Sequence, residues 1–150
     1  LNQNDYTFET LVPEVFPNNL DIRHTLTLGT NYTYGGFSLG LGLNYRTGRP
    51  FTEPESGDNA IDSSVFPNRI NFRDPNSSRL PDYLRVDASM RYRFSISESV
   101  KASAGASVLN LTGRRNILNT YYRLSDANEI EEIESLSLGL TPNISFRIQF

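Results

Sequence analysis

The chain has 150 residues, with 14 basic and 17 acidic side chains, a formal charge of −3 and no cysteine. That length suits one ordinary domain. The charge balance gives no case for a nucleic-acid binder, whose footprint is a strongly basic domain or patch, and the missing thiols exclude disulfides and thiolate metal sites.

No run approaches the roughly 18 consecutive apolar residues of a transmembrane helix. A mean hydropathy of −0.43 resembles that of a soluble protein, but alternating strands escape such averages because every second residue is polar. The first residues do not read as a signal peptide. A membrane protein with this sequence is therefore expected to be mature or a piece of a longer chain.

Residues 1–19 read as an arm. Residues 6–11 alternate weakly, as the end of a preceding strand would, and Pro13 and Pro17 then break the pattern. Strict alternation follows. Ile22, His24, Leu26, Leu28, Tyr32 and Tyr34 share one parity, while Asp21, Arg23, Thr25, Thr27, Asn31 and Thr33 share the other. This predicts a strand over about 20–34 with one apolar and one polar face. Gly35-Gly36 is a tight-hairpin signal. The return arm, 37–47, sets Phe37, Leu39, Leu41, Leu43 and Tyr45 against Ser38, Gly40, Gly42, Asn44 and Arg46.

Residues 48–81 contain Pro50, Pro54, Pro67, Pro75 and Pro81. Prolines at that density forbid a central strand. The stretch is expected to be one long loop, too long for a simple connector and so functional or packed. Alternation resumes over 83–94, with Leu84, Val86, Ala88, Met90, Tyr92 and Phe94 opposite Arg85, Asp87, Ser89, Arg91 and Arg93. A short turn at 95–99 leads to a fourth strand. There Val100, Ala102, Ala104, Ala106 and Val108 oppose Lys101, Ser103, Gly105 and Ser107. Parity slips at Leu109–Leu111, which suggests a bulge. Residues 117–125 and 129–137 read as the arms of a hairpin around Asp126-Ala127-Asn128, with a solvated glutamate run at 129–134. The last strand is expected from about 136 to the end, kinked at Pro142 and closing with Ile144, Phe146, Ile148 and Phe150 on one parity.

Alternation alone fits a soluble β-sandwich binding or adhesion module as well as a membrane barrel. Three features favour the barrel. The connections are asymmetric: two short turns on one side, long segments at 48–81 and 112–135 on the other, as in outer-membrane barrels. Tyr32, Tyr34, Phe37, Tyr92, Phe94 and Phe150 gather toward the short-turn side, where an aromatic girdle belongs. The polar parity carries Arg23, Arg46, Arg85, Arg91, Arg93, Lys101 and Arg147, against Asp21 and Asp87. Facing lipid, each basic residue near the midplane would cost roughly 2–4 kcal/mol. The expected fold is therefore all-β, with antiparallel transmembrane strands whose charged face meets a lumen. Asp21 and Asp87 are expected to neutralise some of those arginines.

At this point several segments resemble one family. Phe16-Pro-Asn-Asn-Leu-Asp-Ile-Arg-His-Thr-Leu-Thr-Leu28, Tyr45-Arg-Thr-Gly-Arg-Pro-Phe-Thr52 and Leu80-Pro-Asp-Tyr-Leu-Arg-Val-Asp87 are similar to TonB-dependent outer-membrane receptors. So are Arg91-Tyr-Arg-Phe94, Val108-Leu-Asn-Leu111, Arg115-Asn116 and the ending Pro142-Asn-Ile-Ser-Phe-Arg-Ile-Gln-Phe150. The resemblance implies the C-terminal segment of a larger, 22-stranded barrel, spanning residues 1–150 with about five membrane crossings. It implies a non-enzymatic transporter in the outer membrane of a Gram-negative bacterium, taking up an iron chelate, cobalamin or a glycan. The implied partners are the rest of the barrel and its plug, TonB through a segment outside this chain, the barrel-assembly machinery, a surface substrate-binding lipoprotein and the bilayer.

Site residues follow from the same frame. Arg49, Phe51, Phe66, Arg69, Phe72 and Arg73 put aromatic and cationic groups in the outer loop, as candidates for ligand or partner contact. Arg23, Arg46, Arg85, Asp87, Arg91, Arg93 and Arg147 are expected to face the lumen. Phe150 is the implied assembly signal. No cofactor is expected. His24 is the only histidine, which leaves a transition-metal site or a catalytic triad poorly supported. Glu53, Glu55, Asp58 and Asp62 lack the spacing of a calcium loop.

Overall fold

The computed structural model describes residues 5–8 and 12–150, and side-chain surroundings from Phe16 onward. In chain order the strands are β1 (Asp5–Phe8), β2 (Val12–Pro17), β3 (Thr25–Tyr34), β4 (Phe37–Arg46), β5 (Pro50–Phe51), β6 (Ile61–Asp62), β7 (Arg69–Ile70), β8 (Ser78–Arg79), β9 (Tyr83–Ser95), β10 (Lys101–Leu109), β11 (Ile117–Leu124), β12 (Ile130–Leu136) and β13 (Thr141–Gln149). A 3-10 turn at Gly57–Asn59 is the one helical element among the described residues. The strands divide between two compact units.

One unit comprises residues 25–45, 83–116 and 138–150. It holds a single antiparallel sheet in the order β13–β10–β9–β4–β3. These are five of the strands that the alternation predicts. Sequence dictates the pairing locally. Gly35 and Gly36 have φ of 54° and 87°, the left-handed geometry that a two-residue hairpin of this twist requires. Thr33 then donates to Ser38 at 3.2 Å and Thr27 to Asn44 at 3.3 Å, so the polar residues of β3 and β4 share a face.

Period two propagates this across the sheet. Ala102, Ala104 and Ala106 of β10 lie between Phe94, Tyr92 and Met90 of β9 and Ile148, Phe146 and Ile144 of β13. On the opposite parity Ser103, Gly105 and Ser107 lie between Arg93, Arg91 and Ser89 on one side and Arg147, Ser145 and Asn143 on the other. The aromatics near the short turns meet directly: Phe37 stacks on Tyr92 at 4.3 Å, and Tyr92 lies 5.7 Å from Phe94.

The apolar parity is not a core. Leu26, Leu41 and Met90 are 45%, 56% and 49% exposed, and few apolar side chains, Leu80, Ala102 and Pro50, are buried among the described residues. A soluble sandwich would bury these leucines between two sheets.

The other unit comprises residues 1–24, 46–82 and 117–137. The long segment after β4 folds back on itself: β5 pairs with β8, β6 with β7, and Pro54 bridges Phe72. It is a narrow ladder with turns, not a structureless loop. The hairpin of β11 and β12 closes through the expected tip, with Ser125 N–H on the Glu129 carbonyl at 2.8 Å.

Several boundaries differ from expectation, each for a local reason. The strand expected from about 20 starts at Thr25. Asn18 holds the preceding segment in a turn, its Oδ1 accepting from Leu20 N–H at 3.0 Å and its carbonyl from Asp21 N–H at 2.8 Å. Pro13 and Pro17 lie within β2 and do not break it; in a two-stranded ladder both strands are edges, where proline is tolerated. The slip at Leu109–Leu111 is a turn, not a bulge: β10 ends at Leu109 and Asn110 takes φ 53°. The last strand begins at Thr141, and Pro142 pairs with Val108 in unbroken register without a kink. β13 is the edge of its sheet, so one side of it has no ladder for proline to interrupt.

Candidate functional site

The polar face of the five-stranded sheet is the first candidate. Asp87 is its anchored acid. One carboxylate oxygen takes the Arg85 guanidinium at 2.9 and 3.0 Å, and the other accepts from Asn110 N–H at 2.9 Å. Further along the face the charge is one-sided. Arg93 and Arg147 flank Ser103 in one row, Arg91 neighbours Gly105 in the next, and Lys101 sits between Ser95 and Gln149. These four cations border a concave patch of about 410 Å³. Among the described residues none of the four forms an ion pair.

Arg85, Asp87, Arg91, Arg93 and Arg147 share the sheet face. Arg46 is the exposed last residue of β4, and Arg23 precedes β3, outside the sheet. Asp21 does not neutralise a sheet arginine. Its buried carboxylate pairs with Arg79, which also donates to the Asp21 carbonyl at 2.9 Å and the Gly48 carbonyl at 3.1 Å. Arg79 carries no distinguishing signal in the sequence, being one of several loop arginines. Gly48 does carry one, in the Arg-Thr-Gly-Arg-Pro run: a Cβ there would collide with the Leu80 carbonyl. This foot, with fully buried Pro50 and buried Leu80, anchors the base of the loop.

Two asparagines order the turn after β10. Asn110 is buried; its Nδ2 donates to the carbonyls of Arg114 at 2.8 Å and Leu138 at 2.9 Å, and its Oδ1 accepts from Thr112 at 3.0 Å. Asn116 accepts from Leu84 N–H at 2.9 Å and donates to the Leu84 carbonyl at 3.0 Å, pairing through its side chain as a strand residue would through its backbone.

The six outer-loop candidates do not converge. Arg49 donates to Asn119 at 2.6 Å, and its Nε is buried without a hydrogen-bond partner. Phe51 is half-buried in β5, and Arg69 faces Asp62 across the β6–β7 ladder. Arg73 donates to Ser56 at 3.0 Å and lies 3.8 Å from Glu53. Phe72 meets the edge of Tyr122 at 6.4 Å, whereas Phe66 is fully exposed. Burial, then the charges of Glu132 and Glu53, push the Tyr122 phenol above its ordinary value. The Ser64 hydroxyl and N–H hold the Asp62 carboxyl below the usual range, with a smaller contribution from Arg69. Among the described residues no three acidic or histidine side chains assemble a metal site. His24 takes part through its backbone, N–H on the Thr47 hydroxyl at 3.1 Å.

One sheet with a bare apolar face, a charged opposite face, tight turns at one end and long excursions at the other is the outline of a barrel wall. The family model for the TonB-dependent receptor-like β-barrel matches residues 2–111. The chain belongs to this family. No curated protein and no solved structure matches it. The matched span ends where β10 gives way to the Asn110 turn, so it takes in four of the five sheet strands and the whole 48–81 ladder. TonB-dependent receptor barrels are transporters and receptors of the outer membrane, not enzymes. The asparagines and the Asp21–Arg79 pair therefore read as supports of a wall and its loops.

Proposed function

We propose that β3, β4, β9, β10 and β13 are consecutive membrane strands near the C-terminal end of a TonB-dependent transporter, with their apolar face in lipid and their polar face lining the lumen. The observation that carries this is the exposure of Leu26, Leu41 and Met90 on the face opposite Arg85, Arg91 and Arg93. Five strands are too few to close, since the smallest single-chain barrels have about 8. Open edges in hydrocarbon leave backbone groups unsatisfied, so the rest of the wall is supplied by further strands of the receptor. The cargo is a nutrient of the iron-chelate, cobalamin or glycan class, and the receptor works with its plug, TonB and a surface lipoprotein, as the resemblance implies. The ladder at 48–81 and the β11–β12 hairpin form part of the outer mouth, where Arg49, Phe51, Phe66, Arg69, Phe72 and Arg73 contact cargo or lipoprotein. Phe150 is the signal for the assembly machinery that the resemblance implies.

These 150 residues hold no cysteine, so single-cysteine probes, placed after any cysteine elsewhere in the receptor is replaced, test the orientation. A fluorophore at Leu41→Cys or Met90→Cys in the whole receptor should be quenched by a nitroxide carried on lipid acyl chains. One at Ser89→Cys or Ser103→Cys should not. Equal quenching on both faces, or extraction of the wild type without detergent, would favour a soluble sandwich instead.

A further inference from the structure

We infer that the long-loop end of the apolar face, over β9 and β10, is a seat for a phosphate-bearing lipid of the outer leaflet. This rests on the orientation proposed above, with that face in the bilayer and the long excursions outward. Ala88 and Ala106 are short side chains among Leu39, Leu41, Met90 and Val108. They leave an apolar groove of about 380 Å³ across β4, β9 and β10. Two residues past Val108, Asn110 donates to the Arg114 carbonyl at 2.8 Å. The turn that carries Arg114 and Arg115 therefore stands at the end of the groove, and both arginines are exposed. The same carbonyl, in the peptide group that joins them, accepts from Asn116 at 3.3 Å, so their backbone is pinned from two sides. Leu109, Leu111 and Leu138, which adjoin Asn110 along the chain or through its side chain, are exposed as well.

Charge and backbone chemistry select the occupant. The unit that holds the sheet has Asp87 and Glu98 as its acids and is otherwise basic. Asp87 is taken up by Arg85 and Asn110 N–H, and Glu98 lies in the short turn at the opposite end. The arginine turn thus attracts anions, and a phosphate accepts from guanidinium groups through paired N–H donors. The groove beside it is walled almost wholly by hydrocarbon. A polypeptide laid there would bring N–H and C=O groups with neither water nor wall to pair them. An acyl chain brings none. Phosphate joined to acyl chains is a membrane lipid.

The whole receptor in phosphatidylcholine vesicles provides the test. A fluorophore at Ile144→Cys, beside Ala106, is quenched by a minor fraction of acyl-nitroxide lipid, either phosphatidic acid or phosphatidylcholine. The phosphatidic acid should quench at a roughly fivefold lower mole fraction, the order of effect of one basic residue at a headgroup. Leu26→Cys, on the far edge strand, should show no preference. At Ile144 the preference should vanish in Arg114→Glu/Arg115→Glu and persist in Arg114→Lys/Arg115→Lys, while quenching by phosphatidylcholine continues and shows the strand in place. Equal quenching by the two lipids at Ile144, a preference that survives charge reversal, or the same preference at Leu26 would overturn the seat. Ile144 shielded from both lipids while Leu26 is quenched would mean that a protein covers the groove, which overturns it too. In each of these cases quenching at Leu26 leaves the wall reading standing. Quenching by neither lipid at either position would bring down the orientation itself.

Discussion

At Asn110 the chain turns back with φ 53°, a conformation that asparagine tolerates and alanine does not. The buried amide satisfies two carbonyls and a hydroxyl that would otherwise lack partners. Asn110→Ala combines backbone strain with unmade buried hydrogen bonds, so it should destabilise the receptor by about 2–4 kcal/mol. Asn110→Gly removes the strain and should fall between alanine and wild type. The denaturant midpoint of the detergent-solubilised receptor reads the order. The sequence shows an Asn-Leu-Thr-Gly turn but not its three partners. Leu138 is remote in the chain, and only the return of β13 beside β10 brings its carbonyl to Asn110.

Among the elements, the segment 48–81 changes most between sequence and structure. Its prolines rule out a central strand, and it is none. Yet its backbone polar groups still need partners, and they find them in the β5–β8 and β6–β7 pairs and in bonds such as Arg73 N–H on the Glu53 carbonyl at 2.9 Å. Arg79 fastens this ladder to the segment before β3 through Asp21. Arg79→Ala leaves a buried carboxylate unpaired. Because Arg79 itself is 26% exposed, the loss should sit at the low end of the ~3–5 kcal/mol expected of a broken buried pair. The loosening should be local. Trypsin should cut after Arg69 and Arg73 several times faster in the variant, while cleavage within β9 and β10 stays unchanged.

For the whole molecule, a sheet that ends in β3 on one side and β13 on the other is a wall in need of neighbours. Its apolar face is too exposed for water, and its alternation is too regular to be an accident of composition. Phe150→Ala in the whole receptor should lower its outer-membrane level several-fold without touching any residue of the ladder at 48–81. Unchanged levels in fractionated membranes would remove that residue from assembly.

The sequence by itself determined the five strands, their two faces and the turn at Gly35-Gly36, because period-two alternation and left-handed glycines are local properties of the chain. It also carried the family, through runs of residues in a recognisable order. Only the tertiary structure decided which charges are paired. Asp87 was visible beside Arg85, but Asp21 finds Arg79 across a long stretch of chain, and the four cations of the short-turn half become neighbours only when β9, β10 and β13 fall into register. Pairing between distant segments depends on register and loop closure, and neither is written in any one stretch of residues.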